Sequence, residues 1–438
     1  MIKRITSNKL FKDLSWSFIS SIICNLLQFG LIFFLLRLYS KEEFGLWASI
    51  TSIAAVIITG DFGIVNVLRF IVSRESAKGK RGNYIASQYF YSAMIFLFTF
   101  TIIASLTLFF LRNNIPIESL FKTDNIVLKA QSKTVFLFVQ FIFLLNLPLG
   151  LGIPLFFSYG ETKIYVIINL TKSIISFLTV VVLGLLSTSI VFVCIAYFII
   201  NAIITLLGTC FFIYRRKWYS FVFCKKNIIK KNKEMFSSGI KFLGVQLSSS
   251  FIANIITIYA SSFLGLSVAA NVNIVQKIFS FIGGIYQSLF NPIWGELGRL
   301  YQSKELIKCR KLIQKSLSLT CIYFTLAVTF VTILRKIFII VIAGKSFDIS
   351  SSIFISIGLF FMIRYIFENA SLFHNAINKM NIIFFGYIIM ALYSFFILPY
   401  IITNYGIIVM ILNIVLIWTV LTVYTYIDMI NKTKTYEN

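Results

Sequence analysis

The segment YRRKWYSFVFCKKNIIKKNKEMF, residues 214–236, divides the chain into two parts of similar character. Eight of its residues are Lys or Arg, whereas the sequence on either side consists mainly of long apolar runs. A helix needs on the order of 20 apolar residues to cross a hydrocarbon core of about 30 Å, and most of these runs reach that length. The segment therefore predicts a basic linker between two groups of membrane-spanning helices.

The composition of the chain agrees with a membrane protein. Of its 438 residues, 58% are hydrophobic and 13% are charged, with a mean hydropathy of +0.90. Soluble domains are roughly 45–50% apolar and about 25% charged. Twelve spans are predicted, at 15–37, 45–72, 86–111, 134–157, 163–186, 189–213, 237–263, 267–293, 312–334, 351–375, 381–402 and 405–428.

These spans predict the fold class. Backbone polar groups cannot remain unpaired in lipid, and the spans are too long and too uniformly apolar for barrel strands, so they are expected to be helices. We predict an all-α polytopic membrane protein with twelve transmembrane helices in two six-helix bundles around a central cavity. The N-terminal lobe is expected at 1–213, the linker at 214–236 and the C-terminal lobe at 237–438, as in transporters built from repeated halves.

The formal charge of +25 predicts the orientation of the spans. Most of the 40 basic residues fall in loops on the side that also holds both termini, and the positive-inside rule makes that side cytoplasmic. A nucleic-acid partner is not expected, because orientation and anionic membrane lipids explain basic clusters in such short loops. The six cysteines show no paired spacing, so neither a disulfide framework nor a metal site is predicted.

The stretch RYIFENASLFH, residues 364–374, carries charge deep inside a predicted span. Arg364 lies about 20 Å along its helix, too deep to reach the membrane surface easily, and a charge at mid-bilayer costs at least about 2.5–3.5 kcal/mol. Glu368 follows at i+4 and can pair with it. This face either packs against other polar helices or lines a wet cavity. His374, the only histidine, is expected to be a plain polar residue at the membrane interface rather than a proton switch.

Polar stripes at helical spacing also occur on other spans. Such stripes can serve as helix packing surfaces. Stripes on five spans, three of which carry a deep cation, favour a hydrated cavity. Its expected polar residues are Asn25, Gln28, Gln246, Asn254, Asn273, Gln287 and Asn291.

Cations dominate the predicted cavity. Those expected to bind substrate are Arg364, Lys277, Lys172, Arg37 and Arg69. A cationic cavity suits an anionic cargo such as a phosphate.

The roles of three residues can be interpreted in more than one way. Lys172 is close enough to its cytoplasmic end to extend to the surface instead. Asp61 is either a proton or sodium site or a charge partner for a cation, and Glu368 has the same two roles open to it. No cofactor is expected beyond such ion coupling.

Two stretches carry a resemblance to a known family. RLYSKEEFGLWASI, residues 37–50, closes the first span, and DFGIVNVLRFIVSRE, residues 61–75, ends the second. Together with twelve spans and a basic central loop, they resemble the polysaccharide repeat-unit flippases, the O-antigen and capsule exporters of the multidrug/oligosaccharidyl-lipid/polysaccharide exporter superfamily.

The resemblance implies a bacterial inner-membrane transporter, not an enzyme. Such proteins move a sugar repeat unit linked to undecaprenyl pyrophosphate from the cytoplasmic to the outer leaflet, and a polysaccharide polymerase and a chain-length regulator are expected partners. The family has no fixed catalytic residues to carry over. Alternating access between the two lobes is the expected mechanism.

Three alternatives stay open. A drug or cation antiporter of the same superfamily would need acids to dominate the cavity, where bases do here. A peptidoglycan-precursor flippase is usually longer, with extra helices. A membrane polymerase or glycosyltransferase would need acids or a donor-binding motif in an external loop, and the acids there are scattered: Glu42, Glu43, Glu118, Asp124 and Asp348.

Overall fold

The computed structural model describes residues 2–57, 63–76, 78–112, 121–123, 125–220, 228–302, 305–343, 348–376 and 381–434. Within these ranges the chain forms α-helices joined by short turns, and no strand is present. The chain divides into two compact units, Met1–Ser250 and Phe251–Asn438. The boundary falls inside a helix that begins at Ile228, so residues 228–236 of the predicted linker are the first turns of that helix.

In the described ranges, the N-terminal unit contains eight complete α-helices and the start of a ninth. They are α1 (Ile2–Leu38), α2 (Lys41–Ile57), α3 (Ile64–Ser76), α4 (Gly79–Leu111), α5 (Ile126–Leu149), α6 (Leu155–Ser158), α7 (Thr162–Leu185), α8 (Ile190–Arg215) and α9 (Ile228–Tyr259). The predicted second span is therefore two helices, α2 and α3. Gly63, just before α3, has a φ of +66°. Glycine adopts this value without strain, and a continuous α-helix does not contain it.

The fourth span is shifted from its predicted position. The helix α5 begins at 126, because the Asn125 side chain accepts hydrogen bonds from the N–H groups of Val127 (3.0 Å) and Leu128 (3.2 Å). It ends at Leu149, immediately after Pro148, and the Gly150 N–H donates to the Asn146 carbonyl at 2.8 Å. The helix stops before the predicted residue 157, next to Pro148, which has no backbone N–H for the helical hydrogen-bond pattern.

An aromatic core holds α4 against the end of α8. Trp218 is fully buried, with its ring centroid 5.2 Å from Phe90 and 5.1 Å from Phe212. The Asn83 side-chain oxygen accepts from both Trp218 Nε1 (2.9 Å) and the Tyr159 hydroxyl (2.6 Å). Burial raises the Tyr159 pKa to about 12, so this hydroxyl stays a donor at neutral pH. The first residues of the basic segment are thus part of the folded unit.

The turn between α3 and α4 is built around Glu75. Its side chain is buried, and Oε1 accepts from Lys78 Nζ (2.9 Å) and Arg74 Nε (2.9 Å). The hydrogen bond from Lys78 lowers the pKa of the Glu75 carboxyl, with Arg74 adding to the effect. Gly82 packs directly on the backbone of Glu75, and this close approach leaves no room for a side chain at position 82.

We expect Gly82→Ala to disrupt this turn. A methyl group at position 82 would overlap the Glu75 carbonyl oxygen, which belongs to the backbone and cannot rotate away. Forced overlap of this kind costs about 1–3 kcal/mol. Thermal unfolding of the purified Gly82→Ala protein should shift to lower temperature. Gly160→Ala is the control: a methyl group there would meet no atom within 4 Å, but φ is +68°, so this variant measures the cost of backbone strain alone. A shift for Gly82→Ala no larger than that for Gly160→Ala would contradict the account.

The C-terminal unit begins with the last part of α9, which continues into a short π-helical turn, Ala260–Leu264. Its helices are α10 (Leu266–Gln302), α11 (Leu306–Ile333), α12 (Arg335–Ala343), α13 (Ser351–Ala376), α14 (Asn381–Phe396) and α15 (Leu398–Lys434). Gly406, with φ +80° and ψ +179°, divides α15 into two helical parts at a kink. The break lies at the predicted boundary between the last two spans.

The prediction of an all-helical, multi-pass membrane protein is confirmed. In the described ranges, nine helices are long and apolar enough to cross a membrane. The described apolar part of α1, Ile22–Leu38, and α14 are shorter apolar helices. With α2 and α3 as the two pieces of the second span, these helices match the twelve predicted spans.

Candidate functional site

A cavity of about 380 Å³ lies within the N-terminal unit, between α1, α7 and α8. We call it the Lys172 cavity. The residues that line it are Cys24, Leu27, Gln28, Leu31, Asn169, Lys172, Ser173, Ser176, Phe177, Tyr197 and Asn201. They include amides, hydroxyls and one ammonium group but no Asp or Glu. The cavity is therefore polar and, through Lys172, positively charged.

The position of Lys172 follows from its partner on α8. Its Nζ donates to Thr205 Oγ1 at 3.1 Å, and that hydroxyl donates in turn to the Asn201 carbonyl at 2.7 Å. Thr205 is buried, so the ammonium group is held against the interior of the unit rather than extended to the membrane surface. Lys172 thus lies at the cavity, and its role in binding substrate stays a prediction.

The other predicted residues of this unit lie in several places. Gln28 lines the Lys172 cavity with Lys172, so the structure brings these two together. Asn25 is half-buried on the same helix but outside the lining. Arg37 is exposed at the end of α1, and its guanidinium carbon Cζ lies 4.5 Å from the centre of the Phe33 ring.

The remaining three are further along the chain. Arg69 lies on α3, 5.2 Å from the centre of the Phe157 ring. Gln246, on α9, has a buried Oε1 without a hydrogen-bond partner in the part of the chain that the structure describes. Asp61 lies outside the described residues.

In the C-terminal unit, Arg364 and Glu368 form the expected i, i+4 pair on α13. Arg364 Nε donates to Glu368 Oε1 at 3.2 Å, and the two side chains are 24% and 30% exposed. The bond uses one nitrogen of a guanidinium that carries five N–H donors. Both side chains therefore keep part of their surface free of contact with the rest of the protein.

Along the predicted polar face of α10, the side chains become more exposed toward the C-terminal end of the helix. Asn273 is buried, Lys277 is half-buried and Gln287 is exposed. Lys277 makes no ion pair within the described ranges. The side chain of Asn291 lies outside the described part, and Asn254, on α9, is half-buried.

Aromatic contacts pack α10 directly against α13. The ring centroids of Phe279 and Phe361 are 6.0 Å apart, and those of Tyr286 and Tyr365 are 5.2 Å apart. Lys277 and Arg364 are therefore carried by adjacent helices of one unit.

A buried hydrogen-bond network lies next to these cations. Asn369 Nδ2 donates to Tyr286 OH (3.0 Å) and to Thr320 Oγ1 (2.8 Å), and its Oδ1 accepts from Ser316 Oγ (2.7 Å). The network joins α10, α11 and α13. The sequence did not predict this network, because each of its members, taken by itself, is an isolated polar residue in an apolar span.

The expectation for His374 is wrong. Its side chain is fully buried, and Nε2 lies 2.8 Å from Asp428 Oδ2 on α15, which also pairs with Lys432. His374 is part of a polar contact between α13 and α15 rather than an exposed interface residue. The partner, 54 residues along the chain, left no signal in the local sequence.

The residues of the Lys172 cavity that sequence reasoning missed are Asn169, Ser173, Tyr197 and Asn201. Asn169 and Ser173 flank Lys172 at i−3 and i+1, so their position on α7 was partly readable. Tyr197, Asn201 and Thr205 follow one another at steps of four on α8, and this spacing is the signal that a search of the sixth span would have found.

The arrangement is suited to binding anions and hydroxylated groups. Each unit holds at least one partly accessible cation inside apolar helices, and the Lys172 cavity adds several neutral hydrogen-bonding side chains. Ammonium and guanidinium groups bind phosphate or carboxylate oxygens, while amides and hydroxyls bind other hydroxyls.

Comparisons with known proteins show the family of the chain. Residues 10–294 match the model of the family described as "Polysaccharide biosynthesis protein". A protein of Salmonella typhi named "Putative O-antigen transporter" is 24% identical over 387 residues, which are 87% of this chain and 86% of that protein.

Solved structures show the same fold. The inward-facing form of a MATE-family multidrug resistance transporter of the MOP superfamily has a TM-score of 0.70 at 14% identity, covering 94% of this chain and 95% of its own. A MOP superfamily transporter from Pyrococcus furiosus has a TM-score of 0.60 at 16% identity, covering 98% and 96%. The expectation of a transporter rather than an enzyme agrees with the name of the Salmonella typhi relative and with the fold of these solved transporters. The chain belongs to the polysaccharide biosynthesis protein family.

Proposed function

We propose that this protein is a flippase that moves an undecaprenyl-pyrophosphate-linked oligosaccharide, an O-antigen or capsule repeat unit, across the bacterial inner membrane by alternating access. In this proposal both termini are cytoplasmic, and the cargo enters from the cytoplasmic leaflet. Family membership and the similarity to a named O-antigen transporter support the substrate class.

The observation that carries the proposal is the presence of partly accessible cations inside the membrane helices of both units. Lys172 lines a polar cavity, and Arg364 and Lys277 keep part of their surface exposed. An isolated cation inside a membrane is costly, so it is kept only where a ligand, a counter-charge or water stabilises it. A pyrophosphate headgroup supplies such a counter-charge during transport, while the polyprenyl chain stays in lipid.

Coupling to a proton or sodium gradient is also proposed. Glu368, half-buried beside Arg364, is a carboxylate whose partner would change when an anionic cargo binds to that arginine. Cargo and coupling ion would then compete for one charged pair, which is the linkage that a coupled transporter needs. Asp61 is the second candidate for this role.

A host strain that lacks its own repeat-unit flippase tests the proposal. We expect expression of this chain, together with the matching glycan-assembly enzymes, to restore surface polysaccharide and to lower the amount of lipid-linked repeat unit held at the cytoplasmic leaflet. A polymerase and a chain-length regulator are expected to use the exported unit. Persistent accumulation of the cytoplasmic intermediate, with the protein present at normal level in the membrane, would contradict the proposal.

The structural neighbours favour one rival, because they include a multidrug resistance transporter of the MATE family. A multidrug antiporter binds cationic drugs through acidic side chains, and the lining of the Lys172 cavity has none. The same strain separates the two functions: increased drug resistance without restored polysaccharide would assign the chain to drug export.

A further inference from the structure

An apolar groove of about 350 Å³ lies between α4 and α5, near the C-terminal end of α4. Leu108 and Phe109 line it from α4, and Leu137, Phe138 and Phe141 line it from α5. The three phenylalanine side chains are exposed, so in a membrane the groove opens toward lipid. Its volume lies within the roughly 300–1,000 Å³ of small-ligand sites, and its apolar walls suit a hydrocarbon chain.

One end of the groove is basic. Arg112, which also lines it, directly follows the last residue of α4, and its guanidinium carbon lies 4.4 Å from the centre of the Phe109 ring. On α5, Lys129 and Lys133 precede Leu137 at steps of four residues, so they continue the same face of that helix toward its N-terminus. Positive charge on both helices therefore follows the apolar walls.

A hydrogen bond fixes the register of the two helices. Thr101 Oγ1, on α4, donates to the Leu144 carbonyl of α5 at 2.9 Å. The two leucines that line the groove lie seven residues after this bond on α4 and seven residues before it on α5, so the helices are antiparallel. Arg112 and Lys133 are each eleven residues from the bond in the same two directions. At 1.5 Å per residue, both lie about 16 Å from it and at the same level.

These cations lack a counter-charge in the part of the chain that the structure describes. Arg112, Lys129 and Lys133 form no ion pair there. Like charges at i, i+4 repel each other, and a cation in the first turn of a helix opposes the helix dipole. The two lysines are therefore unfavourable by themselves, and an anion bound at this end of the groove offsets their charge.

We propose that the groove binds one anionic phospholipid of the membrane, with an acyl chain between α4 and α5 and the phosphate on Arg112 and Lys133. A hydrocarbon chain that ends in a negative group matches both the apolar walls and the basic end. A guanidinium binds phosphate oxygens through two parallel hydrogen bonds, and an ammonium adds a compact charge. Basic pockets between membrane helices are known to bind anionic headgroups.

The headgroup is expected to carry net negative charge. Three cations stand at this end of the groove, so a phosphatidylglycerol, whose headgroup has no positive group, is favoured over a zwitterionic phosphatidylcholine. The site goes beyond the proposed export function, because it needs neither the Lys172 cavity nor a glycan cargo.

Photo-crosslinking of the purified full-length protein tests the proposal. The protein is placed in phosphatidylcholine nanodiscs that contain a trace of phosphatidylglycerol with a diazirine in one acyl chain, and labelled residues are mapped by mass spectrometry. The same diazirine on phosphatidylcholine serves as the reference probe. We expect the ratio of labelling by the two probes to be about fivefold at residues 105–112 and 137–141. It should be about one at residues 199–207 of α8, which also expose apolar side chains.

Two variants and one control locate the site. The Arg112→Gln, Lys133→Gln double variant should lower the ratio at the groove to about one, because the phosphate contacts are lost. Leu137→Trp places a larger side chain in the groove and should reduce labelling there by both probes, and it keeps the test available if the double variant fails to fold. Lys163→Gln removes an exposed cation from α7, outside the groove lining, and should keep the wild-type ratio.

Three results would overturn the assignment. A wild-type ratio of about one at the groove would indicate ordinary lipid contact without headgroup selection. An unchanged ratio in the double variant would remove Arg112 and Lys133 from the site. Stronger displacement of the probe by undecaprenyl phosphate than by unlabelled phosphatidylglycerol would assign the groove to the lipid chain of the cargo. None of these results depends on export in the host strain, so the site can stand if the flippase proposal fails.

Discussion

Replacing either deep cation of the C-terminal unit, by Arg364→Ala or Lys277→Ala, is expected to reduce surface polysaccharide by about tenfold to a hundredfold in a complemented host. Hydrogen bonds to charged groups contribute about 1.5–3 kcal/mol each, and about 1.4 kcal/mol corresponds to a tenfold change in an equilibrium constant. The amount of protein in the membrane should stay near that of wild type, because removing a charge from a membrane span does not oppose its insertion. Quantified polysaccharide per unit of membrane protein is the measurement.

Lys336→Ala is the matched control for this pair. Lys336 is an exposed cation of the same unit, on the short helix α12, and it lies outside the proposed site. Export by this variant should equal that of wild type. Normal export by both Arg364→Ala and Lys277→Ala would remove these residues from the site, and equal losses in all three variants would indicate a general effect of net charge.

The second large effect is expected from Asn369→Ala, and it concerns stability. The change removes three hydrogen bonds from a buried network and leaves the hydroxyls of Tyr286 and Ser316 with fewer partners. Each intramolecular hydrogen bond contributes about 0.5–1.5 kcal/mol to stability, so the loss of three is expected to cost on the order of 3 kcal/mol. The midpoint of thermal unfolding of the purified protein measures it.

Asn404→Ala provides the comparison. Asn404 is an exposed residue of α15 whose side chain bonds only locally, to the Tyr400 carbonyl at 2.8 Å and to Thr403 at 3.4 Å. Its replacement should leave the unfolding midpoint almost unchanged. Equal midpoints for Asn369→Ala and Asn404→Ala would mean that the network does not stabilise the unit. Loss of export through instability also differs from the loss expected for Arg364→Ala, because only the former lowers the amount of protein.

The fold was largely predictable from the sequence because a backbone that crosses lipid has to satisfy its hydrogen bonds internally. Each apolar run of sufficient length has to be a helix, so the runs alone predicted the helices. The interruptions were harder to place. Pro148 and Gly150 end α5 early, and Gly63 precedes α3, yet glycine and proline are also tolerated inside membrane helices, so their presence did not decide where a helix stops.

The candidate site was predictable only where its residues share a helix. The i, i+4 spacing of Arg364 and Glu368 indicated their pairing correctly, since neighbours on one helix face are fixed by local geometry. Pairings between distant helices left no such signal. His374 with Asp428, and Lys172 with Thr205, depend on which helices pack together, and the spacing of residues within one helix does not reveal that.

The central claim is that deep cations carry an anionic, lipid-linked glycan across the membrane, and transport by purified protein tests it most directly. Proteoliposomes are loaded with an undecaprenyl-pyrophosphate-linked oligosaccharide, and its appearance in the opposite leaflet is measured with a sugar-binding lectin. Wild type should transfer the lipid, the Arg364→Ala, Lys277→Ala double variant should be at least tenfold slower, and Lys336→Ala should match wild type. Equal transfer by wild type and the double variant, or a wild-type rate no higher than that of protein-free liposomes, would contradict the account.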